Sequence, residues 1–279
     1  MRYGFPLVAA IFALSTSSAM AAAAPRTAAP TLPGASTSQM LLCNSPDPAR
    51  AIIGCSAIIG GSVTPELMSV AYSNRGVAYQ KRGENDKALA DLDSAVKTDP
   101  KNVNAYRGRG DFYQAIGEYG RALQDYNQAI VLAPKDSELF VQRANNYILS
   151  GDAMHAFSDY EQAIALNPKS VAAYANRGEA YRVQGENDRA IQDYDFALKL
   201  DSKFAPAYVN RGLAEEDKGD LARAIADFTA AIKIDPKMVS AYDERANAYE
   251  QTGAHDRAAA DIAQALKLDP GNADLHKLR

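Results

Sequence analysis

The sequence contains no tryptophan and, in 279 residues, only two cysteines and three histidines. His155, His255 and His276 are scattered in no metal-binding spacing, so no ligand set for a catalytic metal is in view. Two thiols without a neighbouring histidine also fall short of a four-ligand zinc site. No nucleophile elbow, phosphate-binding loop or zinc-protease motif occurs. Gly108-Arg109-Gly110 sits inside a helical pattern with no strand before it, so it does not open a dinucleotide fold. The formal charge is only −4, which disfavours nucleic acid as a partner. The N-terminal apolar stretch, Pro6 to Leu14, is too short to span a bilayer.

What is present points to helices. A hydrophobic content of 47% excludes disorder throughout. Alanine is abundant and tyrosine outnumbers phenylalanine by 15 to 8, which favours helices with many close alanine contacts. Arg2, the short apolar stretch and Ala19-Met20-Ala21 together read as a secretory signal over residues 1–21. The chain is therefore expected to be exported, to the periplasm or beyond, with no membrane span once the signal is removed and a formal charge of −5 after Arg2 leaves. Residues 22–40, rich in Ala, Pro, Thr and Ser without hydrophobic periodicity, read as a flexible tether.

From there a period of 34 governs the sequence. Prolines recur at Pro100, Pro134, Pro168, Pro236 and Pro270, with Ser202 in the missing slot. Five residues before each stands an alanine (Ala95, Ala129, Ala163, Ala197, Ala231, Ala265), and twelve before each another (Ala88, Ala122, Ala156, Ala190, Ala224, Ala258). Each unit carries an aromatic fourth (Tyr72, Tyr106, Phe140, Tyr174, Tyr208, Tyr242) and Gly or Ala eighth. A tyrosine stands eleventh in every unit but one, where Glu215 replaces it. Spacings of four and three place these on one helix face. Glycine at position fifteen, from Gly83 to Gly253, ends the first helix, and a second follows with a large apolar residue at position twenty-four. Small residues at eight, twenty and twenty-seven let the two helices approach closely, so each unit is expected to be an αα-hairpin.

This pattern resembles the tetratricopeptide repeat, with tyrosine where that family often has tryptophan at position four. The resemblance covers six contiguous units, 69–102, 103–136, 137–170, 171–204, 205–238 and 239–272. It implies an all-α fold, a right-handed α-solenoid. One departure is systematic: position seven, usually leucine, is arginine in every unit (Arg75, Arg109, Arg143, Arg177, Arg211, Arg245), and position twenty-three is aspartate in every unit (Asp91, Asp125, Asp159, Asp193, Asp227, Asp261). Guanidinium groups beside the packing positions need partners, so these are read as structural Arg–Asp ion pairs, within or between repeats, in preference to an anion-binding site.

The ends of the array differ. Residues 41–68 read as a degenerate half-repeat cap, with Ala49, Ala51, Ile52, Cys55 and Ile58 at helical spacing. In an exported chain Cys43 and Cys55 read as a disulfide, and Cys43 lies too far beyond the signal to be a lipoprotein cleavage site. Residues 273–279 read as a partial C-terminal cap.

In the family the groove is lined by first-helix positions two, five, six, nine, twelve and thirteen. Carried over, the resemblance implies a peptide-binding surface that includes Asn74 and Arg107 near the start. Val141, Asn145, Ile148, Asn176, Val209, Asn210 and Leu213 follow in the middle, and Glu216, Asp217, Asp243 and Glu244 toward the end. Asparagine recurs at position six (Asn74, Asn176, Asn210), where the repeats of O-linked N-acetylglucosamine transferase carry a ladder that grips peptide backbone; an amide donates and accepts at once. The expected function is a protein- or peptide-binding scaffold without catalysis, cofactor or metal. Its partner would be apolar in the middle and basic where it meets the sixth unit. The alternative is a structural assembly factor of a cell-envelope complex that binds through its convex face or ends.

Overall fold

A computed structural model of the chain describes residues 35–271, and among them fourteen α-helices and no strand occur. They are α1 (Thr37–Cys43), α2 (Pro48–Ile59), α3 (Pro65–Lys81), α4 (Asn85–Thr98), α5 (Val103–Ala115), α6 (Tyr119–Leu132), α7 (Ser137–Leu149), α8 (Ala153–Leu166), α9 (Val171–Val183), α10 (Asn187–Leu200), α11 (Ala205–Asp217), α12 (Leu221–Ile234), α13 (Val239–Gln251) and α14 (His255–Leu268). They group into two compact units, one ending at Leu166 and the other beginning at Asn167. Each is an α-solenoid of stacked helix hairpins.

Local chemistry sets the hairpin. The six position-fifteen glycines all adopt a left-handed conformation, with φ between 74° and 86°. This lets the residue after Gly83 turn its N–H back onto the Tyr79 carbonyl and close the helix end. At the other end of five of the six hairpins an acidic or amide side chain builds the turn: Asp99, Asn167, Asp201, Asp235 and Asp269 each accept from the backbone N–H two residues on, at 2.9–3.2 Å, while the second hairpin has Ala133 there. The Asp201 bond survives although Ser202 replaces the proline, so the turn does not depend on that ring.

Every alanine at positions twenty and twenty-seven is fully buried, and so are Tyr126, Tyr160, Tyr194, Phe228 and Leu92 at position twenty-four. Where position eight is glycine, the approach leaves no room for a side chain. A Cβ on Gly110 would lie 2.9 Å from Tyr126 Cε1, and one on Gly212 would lie 2.6 Å from Phe228 Cε1.

The N-terminal end corrects three expected boundaries. The tether does not run to residue 40, because Ser36 and Gln39 form a reciprocal capping box that starts α1 at Thr37. The cap is more than a half-repeat: α1 and α2 form a shortened hairpin, crossing at Gly54, where a Cβ would lie 2.4 Å from the Cys43 nitrogen. The first helix of the first full unit starts before residue 69, since the Thr64 cap and Pro65 at the first helical position begin α3 four residues earlier. The signal segment, residues 22–34 of the tether and the cap at 273–279 lie outside the described residues.

Candidate functional site

The arginines at position seven meet the aspartates at position twenty-three in every unit, and each pair lies within its own hairpin. Arg75 Nε and Nη2 donate to the two oxygens of Asp91 at 2.6 and 2.9 Å, and Arg245 does the same to Asp261 at 2.8 and 2.7 Å. The four pairs between them repeat this two-pronged geometry at 2.6–2.9 Å. The hydrogen bonds it donates to Asp91 hold Arg75 charged, its pKa raised despite partial burial. The remaining nitrogen, Nη1, reaches backward: Arg109 to Asp93, Arg143 to Asn127, Arg211 to Asp195, Arg245 to Thr229, and Arg75 to Ser56 of the N-terminal hairpin. The contacts therefore run both within and between hairpins. The face of each guanidinium lies over the position-four ring, 5.5–6.0 Å from its centroid in all six units.

Cys43 and Cys55 are joined by a disulfide that ties α1 to α2. His155 and His255 stand exposed, bonded to Asp152 and Glu250. Among the described residues no group of histidines, cysteines and carboxylates could hold a metal ion, and no helix is long and apolar enough to cross a membrane.

The first-helix residues assigned to the groove divide sharply. Val141 and Val209 are core residues; Val209 packs with Ala241 and Ala248, because position five faces the next first helix and fills the space between the two. Leu213, half-buried, packs on the same core around Phe228, so much of the apolar middle expected of the groove is taken up in packing. Ile148 is half-buried. Asn74 donates to Asn44 at 2.9 Å, which spends it on the N-terminal hairpin. Asn145 is buried and accepts from the Tyr160 hydroxyl at 2.6 Å, while Asn176 is buried and Asn210 half-buried. The three position-six asparagines thus stand in three different environments. Arg107 donates to Asn104 on its own helix.

One relationship escaped the sequence reading. The position-twenty-four hydroxyl reaches across the hairpin to position nine: Tyr126 to Asp111 at 2.8 Å, Tyr160 to Asn145, and Tyr194 to Glu179 at 3.0 Å. Where position twenty-four is Phe228 or Leu92, position nine is Leu213 or Val77. Five of the six units match hydroxyl with polar partner or apolar with apolar; the sixth, with Ile262 and Asn247, does not. Burial pushes the Asp111 carboxyl up to about 6, against the Tyr126 hydrogen bond and nearby Arg107, which lower it.

The carboxylates toward the C-terminal end gather on α9, α11 and α13. Arg182 donates two bonds to Glu179, at 3.1 and 2.8 Å, and one to Asp217 at 3.1 Å. Glu216 accepts from Gln251. Burial pushes the Glu244 carboxyl up to about 7, and repulsion from Asp243 and Glu216 adds to it; Asn247 and Arg182 offset only part. Arg182 thus bonds two carboxylates directly, and Asp217, expected in the groove, is already bound to it.

The tetratricopeptide-repeat family model matches residues 74–137, 176–239 and 209–273, and a second model of that repeat matches 159–192. No curated protein matches. Among solved structures, the chain is similar to a tetratricopeptide repeat protein from Parabacteroides merdae, with a TM-score of 0.68 at 22% identity over 86% of this chain and 94% of that one. PilW, a widely conserved type IV pilus biogenesis factor, gives 0.66 at 20% identity over 76% and 98%. MamA gives 0.51 at 26% identity over 59% and 96%. Matched models cover more than half of the sequence, on helix hairpins with the same period, and the chain therefore belongs to the tetratricopeptide repeat family, a protein-interaction scaffold.

Proposed function

We propose that the chain is an exported, non-catalytic adaptor that holds a basic segment of a partner protein against the first-helix face of α9, α11 and α13. The observation that carries this reading is the imbalance around Glu244. Glu179, Glu216, Asp217, Asp243 and Glu244 lie on this face with Arg182 among them, and Glu244 is pushed toward neutrality by burial and by its neighbours. An incoming lysine or arginine would relieve that repulsion and find acceptors already oriented by Arg182 and Gln251. Export is supported by the N-terminal signal pattern and by a disulfide that persists in an oxidising compartment. The apolar middle drops out of the partner's description, because Val141 and Val209 are packed inside and Leu213, half-buried, packs on the core. The test is binding of the native partner to a variant carrying Glu216→Gln, Asp217→Asn, Asp243→Asn and Glu244→Gln. Affinity is expected to fall and its salt dependence to flatten. Full affinity in that variant would remove this face from binding and favour assembly through other surfaces.

A further inference from the structure

In five of the six units the position-eleven tyrosine is covered by the residue at position nineteen. Lys87 lies over Tyr79, Arg121 over Tyr113, Arg189 over Tyr181 and Arg257 over Tyr249, at 5.4–5.7 Å, while His155 stacks on Tyr147 at 5.2 Å. In three of these units the position-seven guanidinium also faces that ring, so it lies between two aromatics: Arg75 with Tyr72 and Tyr79, Arg177 with Tyr174 and Tyr181, Arg245 with Tyr242 and Tyr249. The fifth unit keeps both cations, Arg211 and Arg223, and the first ring, Tyr208, but has Glu215 where the second ring belongs. A cavity of about 300 Å³ lies there between α10, α11 and α12, lined by Ile191, Asp195, Arg211, Glu215 and Arg223 among others.

Glu215 is 4% exposed, its Oε1 has Arg223 at 3.4 Å, and its Oε2 has no hydrogen-bond partner among the described residues. Such an acceptor calls for a donor. Arg211 already spends Nε, Nη1 and Nη2 on Asp227 and Asp195, so it offers the cavity a flat face and not a hydrogen-bonding edge. Asp195, Asp227 and Glu215 outnumber the two arginines, which disfavours an anion. An aromatic ring carrying an N–H or O–H answers both requirements: its face meets the guanidinium and its donor meets Glu215 Oε2. The cavity is at the small end for ligand sites, enough for one ring system. Its rim continues along α10 through Asp195 to a second cavity lined by Phe196 and Lys199. There Phe196 stands half exposed, its ring stacked on Tyr174 at 5.5 Å, with Leu200 one turn on. A pre-set apolar rim beside a one-ring cavity suits a protein surface better than a free small molecule.

We propose that the cavity left by Glu215 is a docking site for a tyrosine or tryptophan side chain of a partner protein, with Phe196 as its rim. It is separate from the carboxylate face of α9, α11 and α13, to which none of its lining residues belongs. The test selects a displayed library of short random peptides on the full chain and measures the selected peptides against three variants. Glu215→Tyr returns the unit to the pattern of its neighbours and fills the cavity with the chain's own ring. It is expected to melt no lower than the parent yet to weaken binding roughly tenfold or more, as is replacement of the peptide's tyrosine or tryptophan by alanine. Ala226→Phe, at an exposed position on the opposite wall, fills the cavity without touching Glu215 and is expected to do the same. The combined Glu216→Gln, Asp243→Asn and Glu244→Gln variant is expected to bind these peptides like the parent, whichever way the carboxylate face behaves. Selection that yields no peptide able to distinguish the parent from Glu215→Tyr and Ala226→Phe overturns the proposal, as do selected peptides that need no tyrosine or tryptophan.

Discussion

The Tyr160 hydroxyl donates a 2.6 Å hydrogen bond to Asn145 Oδ1, joining the second helix of its hairpin to the first at a fully buried point. Tyr160→Phe removes that donor from a buried acceptor and is expected to cost about 1–3 kcal/mol in urea unfolding. The double variant with Asn145→Leu imitates the Phe228 and Leu213 combination and should recover most of the loss. A double variant no better than the single one would show that the hydroxyl does not act through Asn145.

The Arg–Asp pairs bear on stability in the same measurement. Arg177→Ala leaves Asp193 buried without its two-pronged donor and is expected to cost on the order of 3 kcal/mol. Partner binding by the folded fraction should be unchanged. Parent-like unfolding together with lost binding would move these arginines from structure to recognition.

Glu244 gives stability a pH dependence of definite sign. Its folded carboxyl titrates at about 7 against 4.5 in the unfolded chain, so between those values the folded protein holds a proton that the unfolded chain releases. Stability therefore falls as pH rises through that window. Glu244→Gln is expected to stabilise by about 2 kcal/mol at about pH 8 and to change little at about pH 4, where both states are protonated. Thermal melts across this range, with Asp243 and Glu216 intact, check it.

Reducing the Cys43–Cys55 bond releases the α1–α2 hairpin from its closed loop. The chain-entropy estimate for so short a loop is about 3 kcal/mol. Amide exchange should accelerate first in α1 and α2 and last in α5 and α6. Uniform acceleration would mean that the bond supports more than the hairpin that contains it.

The scaffold was legible because its causes are local and recur. A glycine that must turn left-handed, alanines that must let helices touch and an arginine facing an aspartate sixteen residues on each leave the same mark every 34 residues. The candidate groove was less legible, since whether Val209 faces solvent or Ala241 depends on how closely α13 lies against α11, a property of the stack and not of α11 alone. The Tyr160–Asn145 match was within reach, because position nine follows the polarity of position twenty-four in five of the six units. The α1 helix was hidden by composition: an Ala, Pro, Thr and Ser tract conceals Ser36 and Gln39, whose reciprocal bonds start it. The Glu215 exception stood in the pattern from the start, but only the cavity beside it gives the missing tyrosine a meaning.

The backward reach of Nη1 gives the array a direction of growth. Arg109, Arg211 and Arg245 each complete their bonds with a residue on the second helix of the hairpin before them. Arg75 finds that residue in Ser56, on a hairpin whose own closure is covalent. A chain that folds from its N-terminus forms its cross-linked hairpin before any arginine that needs a predecessor, and Arg109, Arg211 and Arg245 then arrive to an acceptor already in place. Assembly in the opposite order would leave each of these newly packed guanidinium groups waiting with one arm unbound. The N-terminal hairpin is in this sense a primer for the one that follows it, held in shape by its own covalent link.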